Sequence, residues 1–281
     1  MTALLDTHQH LVYRDVAGYG WTAGIPALAE GDFPLPRYHA LTEGHAMAGA
    51  LFMETGVDDA DYKAEARHVA GLMRQEGSGI LGLIASCRPE EDAGFADWLD
   101  ECAGLGVVGY RRILHVMPDD LSSTAGFRRN VSEIGARGLP FDLCLLPRQL
   151  GIGLDLVRAC GGTRFVLNHC GVPDIAGGGL DPWRAEMAAL AGEENVVCKL
   201  SGLLAYCAPD AQNLAAIRPF VDHVLEVFGP ERVVWGSDWP VVDLGGGLPG
   251  WLQVTDEILS ALSEDEADAI AQGTARRVYG L

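Results

Sequence analysis

Short apolar runs, bounded by turn residues, recur along the chain and alternate with segments whose apolar positions follow a helical spacing. The runs are ALLDTHQH (3–10), GALFMETG (49–56), GILGLIAS (79–86), VVGYRRIL (107–114), LPFDLCLL (139–146), RFVLNHC (164–170), NVVCKLSG (195–202) and RVVWGSDW (232–239). Amphipathic stretches over 59–77, 88–106 and 123–138 read as helices, the last opening on a Ser/Thr cap and stopping at glycine. Similar patterns cover 149–160, 181–192, 210–228 and 255–271. Strand–helix alternation of this kind implies a parallel sheet with right-handed crossovers. Eight such units fit a closed (β/α)8 TIM barrel, distorted or regular, as one domain over residues 1–281. An open doubly wound sheet fits less well, because the glycine triplets at 177–179 and 245–247 lack the spacing of a phosphate loop. Residues 11–48 form a long connection after strand 1, rich in Gly, Pro, Trp and Tyr, and its role stays open.

Composition narrows the class. The 281 residues are 48% hydrophobic, enough for a large core, and carry a net charge of −19. A surface this acidic disfavours nucleic acid and anionic membrane as partners, though local arginines can still receive an anionic small molecule. Seven cysteines without a C-x-x-C pair read as buried thiols of a reducing cytoplasm. The first residues lack the basic start of a signal peptide, and no apolar window approaches a membrane span. The expectation is a cytoplasmic protein acting on a small molecule, with homo-oligomerisation left open.

In a barrel, chemistry gathers at the C-terminal ends of the strands. His8 and His10 end strand 1, Glu54 ends strand 2, and Arg111, Arg112 and His115 belong to strand 4. His169 ends strand 6, Lys199 and Ser201 lie on strand 7, and Ser237 and Asp238 end strand 8. By strict alternation Asp6, His8 and His10 share one face. Two neutral imidazoles two residues apart can bind one divalent cation or polarise one substrate oxygen. Ser86 and Ser201 read as structural hydroxyls, since no G-x-S-x-G elbow exists. His39, His45, His68 and His223 fall in helical or loop patterns and read as surface groups.

The motifs DTHQH, NHCG, CKLSG and WGSDWPV, in that order, resemble the amidohydrolase superfamily, in the branch that holds sugar-lactone and pyrone-dicarboxylate lactone hydrolases. The likeness spans nearly the whole chain, down to GTARRVYGL at its end. It implies that His8, His10 and His169 polarise a carbonyl while Asp238 acts as general base toward water. It also implies a metal at His8, His10 and Asp238, joined or not by Glu54 or His169. Two departures limit this: strand 5 ends without a histidine, and strand 4 offers arginines where a carboxylated lysine would stand. A two-metal centre is therefore disfavoured, and one zinc or manganese, or none, remains.

The other candidates are substrate contacts. Arg111 or Arg112 would hold a carboxylate or hydroxyls, with one of the two turned into the helical layer. His115 would line the mouth, and Trp239 would stack on a sugar ring or merely pack at the rim. Lys199 is too costly to bury unpaired, so it meets the site or a carboxylate such as Asp6 or Glu54. The expected activity is opening of a small lactone, most simply of a sugar acid. The alternatives are a zinc-dependent C–N hydrolase or aromatic-acid decarboxylase on the same barrel, or a non-catalytic binding barrel.

Overall fold

The structure is a computed structural model that describes residues 2–281. Eight strands make one parallel sheet in sequence order: β1 (Leu4–Gln9), β2 (Met47–Met53), β3 (Ile80–Ser86), β4 (Val107–Ile113), β5 (Phe141–Cys144), β6 (Phe165–Leu167), β7 (Val196–Ser201) and β8 (Val233–Gly236). The seam between β1 and β8 is held at its upper end, where the His10 amide donates to the Trp239 carbonyl and the Asp238 amide to the His8 carbonyl. The result is the expected (β/α)8 TIM barrel, nearly closed.

The outer layer begins with α1 (Leu35–Thr42), inside the long connection after β1. It continues through α2 (Tyr62–Met73), α3 (Phe95–Ala103), α4 (Ala125–Ala136), α5 (Leu150–Ala159) and α6 (Trp183–Ala191). Then follow α7 (Leu214–Phe228), α8 (Gly247–Leu259), α9 (Glu264–Asp268) and α10 (Thr274–Tyr279). The cap expected before α4 is Thr124, whose Oγ1 accepts from the Phe127 amide. One expectation differs from the structure. The helix expected over 255–271 is split, because α8 starts earlier and a capping box at Ser263 opens a new turn. The connection 11–48 is largely ordered: α1 lies in it, and its Val12 pairs with its Phe33 in an antiparallel bridge.

Two apolar layers result. The larger lies between sheet and helices. The smaller fills the barrel axis with Leu5, Leu51, Met53, Ile84, Val166, Val197 and Val234, and α10 plugs its floor with Ala275, Val278 and Tyr279. Above the floor, Val197, Lys199 and Ser201 climb the inner face of β7 in two-residue steps, so the axis passes from apolar to polar toward the mouth.

Because Tyr279 fills the floor and also donates to Asp142 Oδ2 (3.2 Å), its two contributions separate by substitution. Tyr279→Phe is expected to lower unfolding free energy by about 1 kcal/mol and Tyr279→Ala by about 3–5 kcal/mol, read from urea midpoints.

Candidate active site

Strand β1 delivers its histidines through an irregularity. Asp6 lies opposite Ala50 and Gln9 opposite Phe52, so three steps on β1 match two on β2. The extra residue breaks the alternation. Leu5 packs in the axial core, whereas Asp6 turns toward α1, accepting from Tyr38 Oη (2.8 Å) and from the amides of His8 (2.9 Å) and Ser237 (2.8 Å). Asp6 therefore staples the β1–β8 seam and does not share the histidines' face, contrary to strict alternation. Burial raises its carboxyl above the ordinary range, against the hydrogen bonds that favour the anion.

His8 and His10 meet Nε2 to Nε2 at 3.1 Å. Asp238 Oδ1 lies 3.6 Å from the first nitrogen and 3.5 Å from the second. His169 joins from the turn after β6, its ring centroid 4.5 Å from that of His8 and its Nδ1 3.7 Å from Asp238 Oδ2. Three strands thus bring four expected residues around one point, with Asp238 only 2% exposed. Asp238 (φ 58°) and His169 (φ 53°) both adopt the left-handed backbone region, as do Cys170 and Val172. Non-glycine residues held there are strained, and they cluster where geometry must be over-determined. Gly202 completes the cradle, since a Cβ at that position would stand 2.3 Å from Asp238 Oδ2.

Hydrogen bonds assign the imidazole protons. His10 Nδ1 faces the Met53 carbonyl at 2.9 Å, so a neutral ring carries its proton there and its lone pair on Nε2. His8 Nε2 faces Arg111 Nη1 at 3.3 Å; a guanidinium only donates, which requires a lone pair on His8 Nε2 as well. His169 Nδ1 meets Ser201 Oγ at 2.9 Å. Burial, first of all, lowers the His169 ring to about 4 against the opposing pull of the Asp238 charge, and burial likewise holds His8 well below its usual range. Burial thus favours the neutral form of the His8 and His169 rings.

Two lone pairs and a carboxylate converging in this way suit a cation. A tetrahedral shell with bonds of about 2.1 Å separates its donor atoms by about 3.4 Å. His8, His10 and Asp238 stand close to that spacing, while Asp238 Oδ2 and His8 Nδ1 have no hydrogen-bond partner among the described residues. The donor set fits one zinc-like ion.

The remaining candidates divide. Arg111 reaches the cluster, with Nε on Glu54 Oε1 (2.6 Å) and Nη2 on the Glu54 carbonyl. Burial drives the Glu54 carboxyl up, but Arg111 and the Gly56 amide together bring it below its usual value. Arg112, one residue on, points the other way and pairs with Glu90 (2.5 Å). Lys199 does not reach the mouth: fully buried, it donates to Asp142 Oδ1 and to the Thr7 carbonyl, both at 2.8 Å, one step below the cluster. Neither Asp6 nor Glu54 is its partner. Trp239 is fully buried between Phe33 (5.8 Å) and Tyr38 (5.7 Å), so its ring serves rim packing and not a sugar face. His115 is half-buried, with Nδ1 3.1 Å from Cys144 Sγ. Among the histidines read as surface groups, His223 is instead buried on α7, its Nε2 at the Arg184 carbonyl (3.0 Å).

Several contributors carry no sequence signal strong enough to single them out. Asp142 holds Lys199, receives Asn168 Nδ2 (2.6 Å) and so steadies the Asn168 Oδ1 that lies 3.5 Å from Arg111. Tyr206 packs edge-on to His169, with centroids 6.3 Å apart. Trp21, from the long connection, donates to the Thr55 carbonyl (2.9 Å) and is 40% exposed. Behind Glu54 lies Glu65 on α2, which accepts from the Thr55 amide.

Comparison with known proteins gives the following likenesses. A family model described as Amidohydrolase matches residues 5–281. An L-fucono-1,5-lactonase of Burkholderia multivorans is 29% identical over 295 residues, covering 99% of this chain and 96% of that protein. A crystal structure of an amidohydrolase from the same species, with bound zinc, superposes with a TM-score of 0.89 at 27% identity, over 99% of both chains. The 5-carboxyvanillate decarboxylase of Sphingomonas paucimobilis (TM-score 0.66, 16% identity, 100% of both chains) shares the fold alone.

Glu65 supplies a pH test that leaves the cluster untouched. Burial, with the Glu54 charge adding, pushes its carboxyl up to about 8. A raised acid stabilises the fold below its unfolded pKa and loses that contribution as pH rises through the folded value. Glu65→Gln, which mimics the protonated form, is expected to match wild type below pH 4.5 and to become progressively more stable than it as pH rises through about 8, in urea titrations across pH.

Proposed function

This chain belongs to the amidohydrolase family, and on that premise we propose that it hydrolyses a small lactone, an uncharged sugar-acid lactone in particular. The observation that carries the reading is Asp238: a buried carboxylate whose Oδ2 has no hydrogen-bond partner among the described residues, set among three imidazoles.

Water beside Asp238 Oδ2 would lose a proton to that oxygen as it attacks the ring carbonyl. Oδ2 is buried and has no hydrogen-bond partner among the described residues, so its lone pairs are uncommitted. Negative charge then develops on the former carbonyl oxygen, and preorganised donors stabilise it more than bulk water would. A Ser201 hydroxyl donating to His169 Nδ1 leaves the other ring nitrogen of His169 as such a donor. Collapse breaks the acyl C–O bond, and the proton held by Asp238 passes to the departing ring oxygen as it becomes a hydroxyl. A metal ion bound by His8, His10 and Asp238 would supply Lewis-acid polarisation of the carbonyl and a more acidic water.

Charge balance supports the uncharged substrate. Arg111 is matched by Glu54, Lys199 by Asp142 and Arg112 by Glu90. Asp238, like the buried Asp6 and Glu65, has no lysine or arginine partner among the described residues. With Arg111, Arg112 and Lys199 each matched, none of these cationic side chains is free to receive a carboxylate that the ligand already carries. Arg111 is committed to Glu54 and is not a free clamp for a developing carboxylate.

Two outcomes follow for purified protein assayed by acid release. Asp238→Asn is expected to lower kcat on an aldono-lactone by about three orders of magnitude with the fold retained. Residual turnover near wild type would remove the base from the mechanism. Lactones bearing an extra carboxylate are expected to show kcat/KM at least about tenfold below that of their uncharged analogues, with the deficit shrinking as salt is added. Equal or faster turnover of the charged lactones would refute the uncharged substrate while leaving the hydrolase in place.

A further inference from the structure

We infer that Arg111 governs how tightly the His8–His10–Asp238 cluster holds a divalent cation, by presenting a fixed positive charge to the ligating edge of His8. The inference is independent of which ester the protein cleaves.

Arg111 Nη1 lies 3.3 Å from His8 Nε2, the nitrogen whose lone pair would also ligate the ion. One lone pair cannot serve both. The guanidinium is not free to swing aside: Nε holds Glu54 Oε1, Nη2 holds the Glu54 carbonyl, and Nη1 is within 3.5 Å of Asn168 Oδ1. It is 3% exposed and cannot give up its proton, so its charge is permanent and poorly screened. Glu54, 2.6 Å from it, offsets that charge in part. A divalent ion entering the cluster therefore gains two imidazoles and a carboxylate but has to take His8 from a cation. The balance point of this competition is set by Arg111 and Glu54, which reach the cluster from β4 and from the end of β2 without belonging to the ligand set.

Removing each partner should move affinity in opposite directions. Arg111→Met deletes the competing charge and releases His8 Nε2; Glu54→Gln keeps an acceptor for Arg111 Nε and deletes the compensating charge. Metal-stripped full-length protein would be titrated with zinc against a chromophoric chelator, with circular dichroism confirming the fold and no activity measurement involved. The expected result is zinc bound at least about tenfold more tightly by Arg111→Met and at least about tenfold more weakly by Glu54→Gln, with the double variant between them. Unchanged or weaker binding by a folded Arg111→Met overturns the inference, whether or not wild type binds zinc measurably. Should Arg111→Met fail to fold, Glu54→Gln decides alone: weaker binding supports the inference, and unchanged or tighter binding overturns it. General loosening of the site would move both variants the same way.

Discussion

Lys199 and Arg111 carry positive charge into the axis of the barrel, and each is met there by a carboxylate that the fold buries with it. Asp142 takes Lys199 at 2.8 Å and Glu54 takes Arg111 at 2.6 Å. Removing one partner of either pair would leave an uncompensated buried charge, at a cost of about 3–5 kcal/mol. Once formed, they fix the level of the site. Asp142 binds Asn168, Asn168 approaches Arg111, and Arg111 stands against His8. The cluster rests on a scaffold of paired charges, with Asp238 facing the three imidazoles above it.

Backbone strain plays the complementary part at the upper rim. His169 and Asp238 both sit at positive φ immediately after short strands, where the chain leaves the sheet. An ordinary strand exit would turn these side chains away from the axis. The left-handed conformation folds them inward, and the surrounding packing maintains it at an energy of order 1–3 kcal/mol each. Gly202 opposite Asp238 is the matching vacancy, since any side chain there would displace the carboxylate.

Much of this is legible in the sequence, for a physical reason. Strands covered on both faces must be apolar throughout, so His8, His10, His169 and Asp238 stand out against their runs, and the barrel rule places them at one mouth. The illegible parts are those that depend on distant partners or broken periodicity. The extra residue in β1, which turns Asp6 to Tyr38, has no composition of its own. Lys199 announces that it needs a carboxylate, but Asp142, 57 positions away, looks like any acid at a strand start. Trp239 stands beside a catalytic candidate in sequence and in a different layer in space. The ordering of 11–48 escapes too, because its α1 is short and weakly patterned, and what fixes it is the seam it covers.

The plug at the barrel floor bears on how the protein is made. Ala275, Val278 and Tyr279 follow every strand in the chain, so a ribosome completes the staves before it supplies the base beneath them. Until that last helix emerges, the axis lies open at its lower end, and Asp142 lacks the phenol that shares it with Lys199. A nascent chain halted just short of it carries every side chain of the cluster, yet has nothing to seal the column on which they stand.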